Sequence, residues 1–293
     1  MDFRHSGVDL HIHSTASDGT LSPVEILRLA ESLNLGAISI TDHDTLKGSE
    51  ELFEIAGSSD IHIVTGIEIS ATASPALAFK GSFHILGYGI RLDDSVLNQQ
   101  LDILQQARKN RNPLIIDKLN AMGVDISLNE VIKISREALL GRPHIAQVMV
   151  YKGIVKTIDE AFNVYLGTNR PAYVDKYRLD CQKAIEMIRG AGGIPVMAHP
   201  YLLNIPDNPS LDTFVSQLSE MGLQGIEVYY PEHSPEHIEH YSFLVKKYDL
   251  VSTGGTDFHG AIKPNIQMGC GQGDFFVPYA VYDQLARRLQ SMK

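Results

Sequence analysis

The chain has 293 residues, 44% of them hydrophobic and 20% charged, with 35 acidic against 25 basic residues and a formal net charge of −10. That composition fits a folded chain long enough for one large α/β domain or two smaller ones, and its acidic balance excludes a protein coating long nucleic acid through a broad basic surface. The two cysteines, Cys181 and Cys270, lie far apart without a CxxC pair, which excludes a disulfide framework and a thiolate zinc site and suits a reducing cytosol.

The opening MDFRHSGVDL has no apolar core of signal-peptide length, and no later stretch approaches the ~18 apolar residues of a membrane span. A cytoplasmic chain with no membrane partner is therefore expected. In VDLHIHSTASDG, residues 8 to 19, the side-chain period of a strand puts Asp9, His11 and His13 on one face and Val8, Leu10 and Ile12 on the other. One face is oily and the other is free to bind. SPVEILRLAESLNLG follows as a helix, with Ser22 as N-cap, Pro23 in the first turn and Glu25 completing a capping box.

AISITDHD then reads as a buried strand, residues 46 to 56 as a helix, and IHIVTGIEIS and SFHILGYGI as strands. GIPVMAHP, GIEVYY and VSTGGTDFH each follow a helical stretch and complete a set of seven. Strands that mostly alternate with helices predict parallel βαβ units, in a barrel or an open sheet. His13, Asp42 to Asp44, Glu68, His199, Glu227 and Asp257 to His259 fall at or near strand ends. In a barrel such ends meet at one mouth. Residues 93 to 172 read as successive helices, with capping boxes at SLNE (Ser127) and TIDE (Thr157), and predict a helical insertion over that mouth. Residues 1–92 and 173–293 make the body.

The ionisable residues near strand ends include a metal-ligand set: His11, His13, Asp18, His43, Glu68, His84, His199, Asp257 and His259. Imidazole and carboxylate without thiolate suit Zn²⁺, Fe or Mn²⁺, and nine ligands exceed what one ion takes. Two or three divalent ions are expected, with Glu68 as the bridge. Neighbouring ions acidify a shared water and clamp attacking and leaving oxygens.

DLHIHSTASDG, ITDHD, GIEIS, HILGY, GRPHIA, AHP, EVYYPEH and GGTDFHG together resemble the polymerase and histidinol phosphatase (PHP) family of metal-dependent phosphoesterases. The nearest branch acts on nucleoside 3′,5′-bisphosphates and trims short RNA from its 5′ end. The resemblance implies a distorted seven-stranded TIM-like α/β barrel around three metals. It places His11, His13, Glu68 and Asp257 on the first ion, Glu68, His84 and His199 on the second, and Asp18, His43 and His259 on the third. Glu68 and Asp257 are then the catalytic metal-holding carboxylates, and Arg142 the cation facing the phosphate.

A lone histidine in an apolar strand is more often structural than ligating, and His84 joins the set only because of its eight companions. His5, His62, His237 and His240 keep the structural reading. Arg142 and His144 in GRPHIA either begin a solvated helix or grip phosphate at its N-terminus. Arg178, Glu232 and His233 are further substrate contacts by expectation, each with a bland alternative in a linker or cap. ARKNR, residues 107 to 111, reads first as a solvated helix face, with guidance of an oligonucleotide as its functional alternative. The expected activity is removal of a terminal phosphate from a small nucleotide, with short RNA as a further substrate. Histidinol phosphate, a C–N bond hydrolase of amidohydrolase type, and a structural metal-binding domain are the alternatives.

Overall fold

In the computed structural model, which describes residues 7–57, 59–73, 83–135, 140–175 and 177–292, the opening stretch folds as its alternation requires. β1 (Val8–Ile12) pairs in parallel with β2 (Ala37–Ile40). Between them α1 (Pro23–Ser32) starts from the Ser22–Glu25 capping box and buries Ile26, Leu27 and Ala30. α2 (Lys47–Ile55) follows β2.

IHIVTGIEIS does not form one strand. Its first part is β3 (His62–Ile63), parallel to β2, and its second is β4 (Gly66–Thr72), in another sheet. The passage is tight at Gly66, where a Cβ would sit 2.2 Å from Ser39 Oγ, so only glycine lets the chain cross. β5 (Phe83–Tyr88) runs antiparallel to β4 and to β7 (Ile194–Met197), against the parallel expectation. This reversal matters: it places His84, near the start of β5, beside Ser70 and close to Glu68.

β6 (Leu179–Asp180), α7 (Cys181–Gly190) and β7 are followed by α8 (Asn208–Glu220), β8 (Gly225–Tyr229), α9 (Pro235–Lys247), β9 (Val251–Gly254) and α10 (Tyr279–Ser291). The mixed α/β fold has a three-stranded sheet, β1-β2-β3, and a six-stranded sheet, β6-β4-β5-β7-β8-β9. Single bridges, His43 to Glu68 and Ile12 to Phe258, join them. Among the described residues the ladders do not close into a continuous barrel, and the short β3 and β6 were not expected.

Between residues 95 and 166 the described elements are helical: α3 (Ser95–Ala121), α4 (Leu128–Ser135), α5 (Arg142–Tyr151), α6 (Ile158–Ala161) and a π-turn at Phe162–Leu166. They share an apolar cluster of their own that includes Ile115, Leu119, Ile145, Met149 and Leu166. The capping box at Ser127 forms in full. At Thr157 half of it forms, since Glu160 reaches back to the Lys156 amide instead. No helix among the described residues is long and apolar enough to cross a membrane.

Asp9, on the binding face of β1, is fully buried and holds the chain beyond β9. It accepts hydrogen bonds from the amide and hydroxyl of Thr256, at 2.9 and 2.6 Å, and from the Gly269 amide at 2.9 Å. Burial pushes its carboxyl up from 3.8 to about 6, although those hydrogen bonds pull the other way. An acid whose folded pKa lies above its unfolded value stabilises the fold below that window and loses the contribution as pH rises through it. In chelator-treated protein, the stability advantage of wild type over Asp9→Asn should therefore shrink by roughly 1 kcal/mol between pH 5 and pH 7.5. Urea unfolding at the two pH values measures it, and an advantage that grows with pH contradicts the raised pKa.

Candidate metal centre

Glu68 is buried at the centre of five imidazoles. Its Oε1 lies 2.7 Å from His84 Nδ1 and 3.0 Å from His199 Nε2, while its Oε2 lies 2.8 Å from His43 Nδ1, 3.2 Å from His13 Nε2 and 3.6 Å from His11 Nε2. The residue stands third in β4 rather than at its C-terminal end. His11 Nε2 and His13 Nε2 face each other at 3.2 Å, a separation at which two ring nitrogens need a proton or a cation between them. Asp257 Oδ1 closes that corner, 3.5 Å from His11 Nε2 and 3.2 Å from His13 Nε2.

A further corner forms around Asp18. Its carboxylate lies 3.5 Å from His13 Nδ1, 3.4 Å from His259 Nε2 and 3.8 Å from His43 Nε2. The structure thus brings all nine expected ligands into one cluster. Three groups within it have ligand atoms close enough for one ion each: His13, Asp18, His43 and His259; His11, His13 and Glu68; and His43, Glu68 and His84. The last grouping differs from the expected partition, because His43 joins His84 there, while His199 approaches the same Glu68 oxygen as His84, its Nε2 3.4 Å from His84 Nδ1.

The electrostatics fit cations. Against burial, His43, His84 and His11 hold Glu68 well below the usual carboxylate range, and His43 and His259 do the same for Asp18. Burial lowers His84 to about 3 and His259 to about 4, leaving both as neutral imidazoles, the form that ligates. Burial opposes protonation of His13 too, yet Asp257 and Glu68 raise it to about 10. A proton held there performs the neutralisation that a dication would. His43 Nδ1, Glu68 Oε2 and His199 Nδ1 are buried without a hydrogen-bond partner among the described residues, the short His43–Glu68 approach lacking hydrogen-bond geometry. Such atoms suit coordination. Four more carboxylates, Asp9, Asp42, Asp44 and Glu227, are buried behind the ligands.

The opposite wall of the cavity, whose volume is about 300 Å³, is cationic: Arg108, Arg111, Arg142 and Arg178 line it. Arg142 opens α5 after the Gly141 cap, donates to the Leu166 carbonyl at 2.8 Å and stacks on Phe162 and Tyr173. Arg178 is tied to Asp175 at 2.7 Å. His144 is buried, and its Nδ1 accepts from the Gly141 amide as a cap. Glu232 is exposed and His233 is buried with its Nδ1 on the Val228 carbonyl; neither lines this cavity.

Sequence reasoning missed Lys263, which lines the cavity with its Nζ 2.6 Å from Asp257 Oδ2. The solvated reading of ARKNR fails at two of its arginines. Arg108 and Arg111 are each 5% exposed. Arg108 Nη2 meets Asp44 Oδ2 at 2.5 Å, and Arg111 Nε has no hydrogen-bond partner among the described residues. Burial, with Arg108, Arg142 and Arg178 nearby, lowers Arg111 to about 9. An arginine spaced three from another arginine was the available signal.

Comparison with known proteins agrees with the resemblance read from the motifs. The PHP domain matches residues 9–252. A 3′,5′-nucleoside bisphosphate phosphatase from Chromobacterium violaceum is 28% identical over 255 residues, 87% of each chain. A 5′-3′ exoribonuclease from Haemophilus influenzae is 31% identical over 252 residues, 86% of this chain and 89% of its own. A solved structure from Bifidobacterium adolescentis, assigned as a metal-dependent phosphoesterase, superposes with a TM-score of 0.84 at 27% identity, covering 97% of this chain and 96% of its own.

A ligand that binds only the folded state stabilises it in proportion to RT ln(1 + [L]/Kd), about 2.7 kcal/mol at a hundredfold excess over Kd. Adding Mn²⁺ or Zn²⁺ to chelator-treated protein should raise Tm by on the order of 5 °C. A melting curve unmoved by either ion contradicts a cluster built for cations.

Proposed function

We propose a nucleoside 3′,5′-bisphosphate as the preferred substrate, starting from the fact that the chain belongs to the PHP-domain family and is a metal-dependent phosphoesterase. One observation carries this reading: the same cavity sets an imidazole–carboxylate floor against four guanidiniums. The floor takes the phosphate being cleaved. Asp44 already pairs with Arg108 and Asp175 with Arg178, so a second anion is needed to match Arg111 and Arg142, and a bisphosphate supplies it one nucleoside away. Histidinol phosphate would instead bring an ammonium toward these two like charges, which disfavours it.

Short RNA fits the same arrangement. A 5′-phosphorylated end and the first phosphodiester have the spacing of the two phosphates in the bisphosphate, and the exoribonuclease relative supports this second substrate. In this reading residues 93–172 are an inserted substrate-binding segment. Residues 1–92 and 173–293 are the metal-holding body, a distorted ring of β1, β2, β4, β5, β7, β8 and β9. The two single bridges between the sheets support such a ring.

When bound, two or three divalent ions supply Lewis-acid neutralisation of phosphoryl charge and acidification of water. His11, His13, Glu68 and Asp257 would hold one ion, Glu68 with His84, His43 or His199 another, and Asp18, His43 and His259 a third. Arg142 presents a guanidinium already fixed by Leu166, Phe162 and Tyr173, so little side-chain freedom is lost on gripping an anion. Arg111 adds an Nε that has no hydrogen-bond partner among the described residues. Phe162 and Leu202 line the same cavity and offer apolar surface to the nucleoside.

Glu68→Gln should lose nearly all turnover while remaining folded, because one neutralised carboxylate weakens every ion that shares it. Phosphate release with Mn²⁺ supplied, beside a circular-dichroism spectrum, tests this; near-normal turnover contradicts the bridging role. Arg142→Ala should cost about 2–3 kcal/mol in kcat/KM on adenosine 3′,5′-bisphosphate and leave a simple aryl phosphate nearly untouched. Equal losses on both substrates would move Arg142 to the scissile group, and no loss on either would remove it from binding.

A further inference from the structure

Glu227, the third residue of β8, is completely buried, and sequence reasoning assigned it no role in the ligand set. Its two oxygens serve different strands. Oε1 accepts from His11 Nδ1 at 2.8 Å, and Oε2 accepts from the backbone amide of His199 at 2.7 Å. These partners face different oxygens of Glu68: His11 Nε2 faces Oε2, and His199 Nε2 faces Oε1.

We propose that Glu227 is a positioning residue for both ions that flank Glu68, fixing one ligand nitrogen for each from a single buried carboxylate. A hydrogen bond from His11 Nδ1 commits that nitrogen to its proton, which leaves Nε2 as the lone-pair atom pointing into the cluster. At His199 the backbone itself is constrained. Its φ of 27° lies in the region that side chains avoid, and the hydrogen bond its amide donates to Glu227 holds the residue there, with Nε2 toward Glu68. A carboxylate accepts at both oxygens, whereas a carboxamide accepts at one and presents N–H at the other. The carboxamide of a Glu227→Gln variant would thus either meet His11 Nδ1–H with a second donor, forcing the proton onto Nε2, or release the His199 amide. The inference rests on the multinuclear reading above.

The test is a Co²⁺ titration of chelator-treated wild type and Glu227→Gln, followed by d–d absorption and by competition with a chelator, with Tm of the metal-free proteins alongside. Wild type should bind more than one ion. Glu227→Gln keeps one acceptor and should bind one of the two ions about 10- to 100-fold more weakly, with the Asp18 corner retained and a metal-free Tm close to wild type, whereas Glu227→Ala, titrated in the same way, keeps none and should weaken both. A Glu227→Gln variant that keeps wild-type affinity for both ions, or a Glu227→Ala variant that weakens only one, overturns the proposal. Wild type that binds a single ion would instead overturn the multinuclear reading, so the two failures are distinct. Should the variant not fold, ¹⁵N shifts of the histidine rings in zinc-loaded wild type decide: His11 protonated at Nδ1 and bare at Nε2 supports the proposal, and the opposite tautomer overturns it.

Discussion

Seven carboxylates withdrawn from water on one side of a cavity are the constraint to which this structure answers. Asp18, Glu68 and Asp257 face the cavity, and Asp9, Asp42, Asp44 and Glu227 stand behind. Isolated, each would cost several kcal/mol of desolvation. The fold meets that cost with donors that reach them from distant parts of the chain. Asp42 accepts from the Ser14 amide and from the Ser14 and Ser17 hydroxyls, Asp44 from Ser70 and Arg108, and Asp9 from Thr256 and Gly269. The bonds from Ser14, Ser17 and Thr256 pin the loops that carry Asp18 and Asp257. The front carboxylates lean on imidazoles, and those imidazoles supply the lone pairs with which divalent ions complete the neutralisation.

The same charge logic joins the helical stretch to the rest. Arg108 and Gln105 on α3 meet Asp44 just beyond β2, the guanidinium on its carboxylate and the amide on its backbone carbonyl. One buried acid thus holds the loop carrying His43 against the helix carrying Arg108 and Arg111, two of the four arginines that line the cavity. Imidazoles and carboxylates, suited to cations, and guanidiniums, suited to an anion, line one cavity. Asp44, at φ 55°, tolerates a backbone conformation uncommon outside glycine because Ser70 and Arg108 over-determine its side chain.

Much of the ion-binding side was legible in the sequence because its chemistry is local. His11 and His13 share a face by the strand period alone, whereas the placing of Asp18 at another ion is what the family resemblance implies. Strand direction was not legible. A β-branched run such as FHIL carries no polarity, so helix–strand alternation predicted a parallel β5 where the structure has an antiparallel one. Arg108 and Arg111 read as solvent-facing because a helix with polar residues on several sides does not show which side meets a buried acid. Glu227 read as an ordinary acid near a strand end, since its partner His11 lies 216 residues away. Pairings of this range follow from topology, not from spacing.

The central claim is that catalysis requires more than one ion gathered around Glu68. A stoichiometric titration of chelator-treated protein with Mn²⁺, following bound metal and phosphate release from adenosine 3′,5′-bisphosphate in the same samples, tests it most directly. The account predicts negligible release until more than one equivalent is bound per chain, then a steep rise. Full turnover at one equivalent or fewer would contradict it.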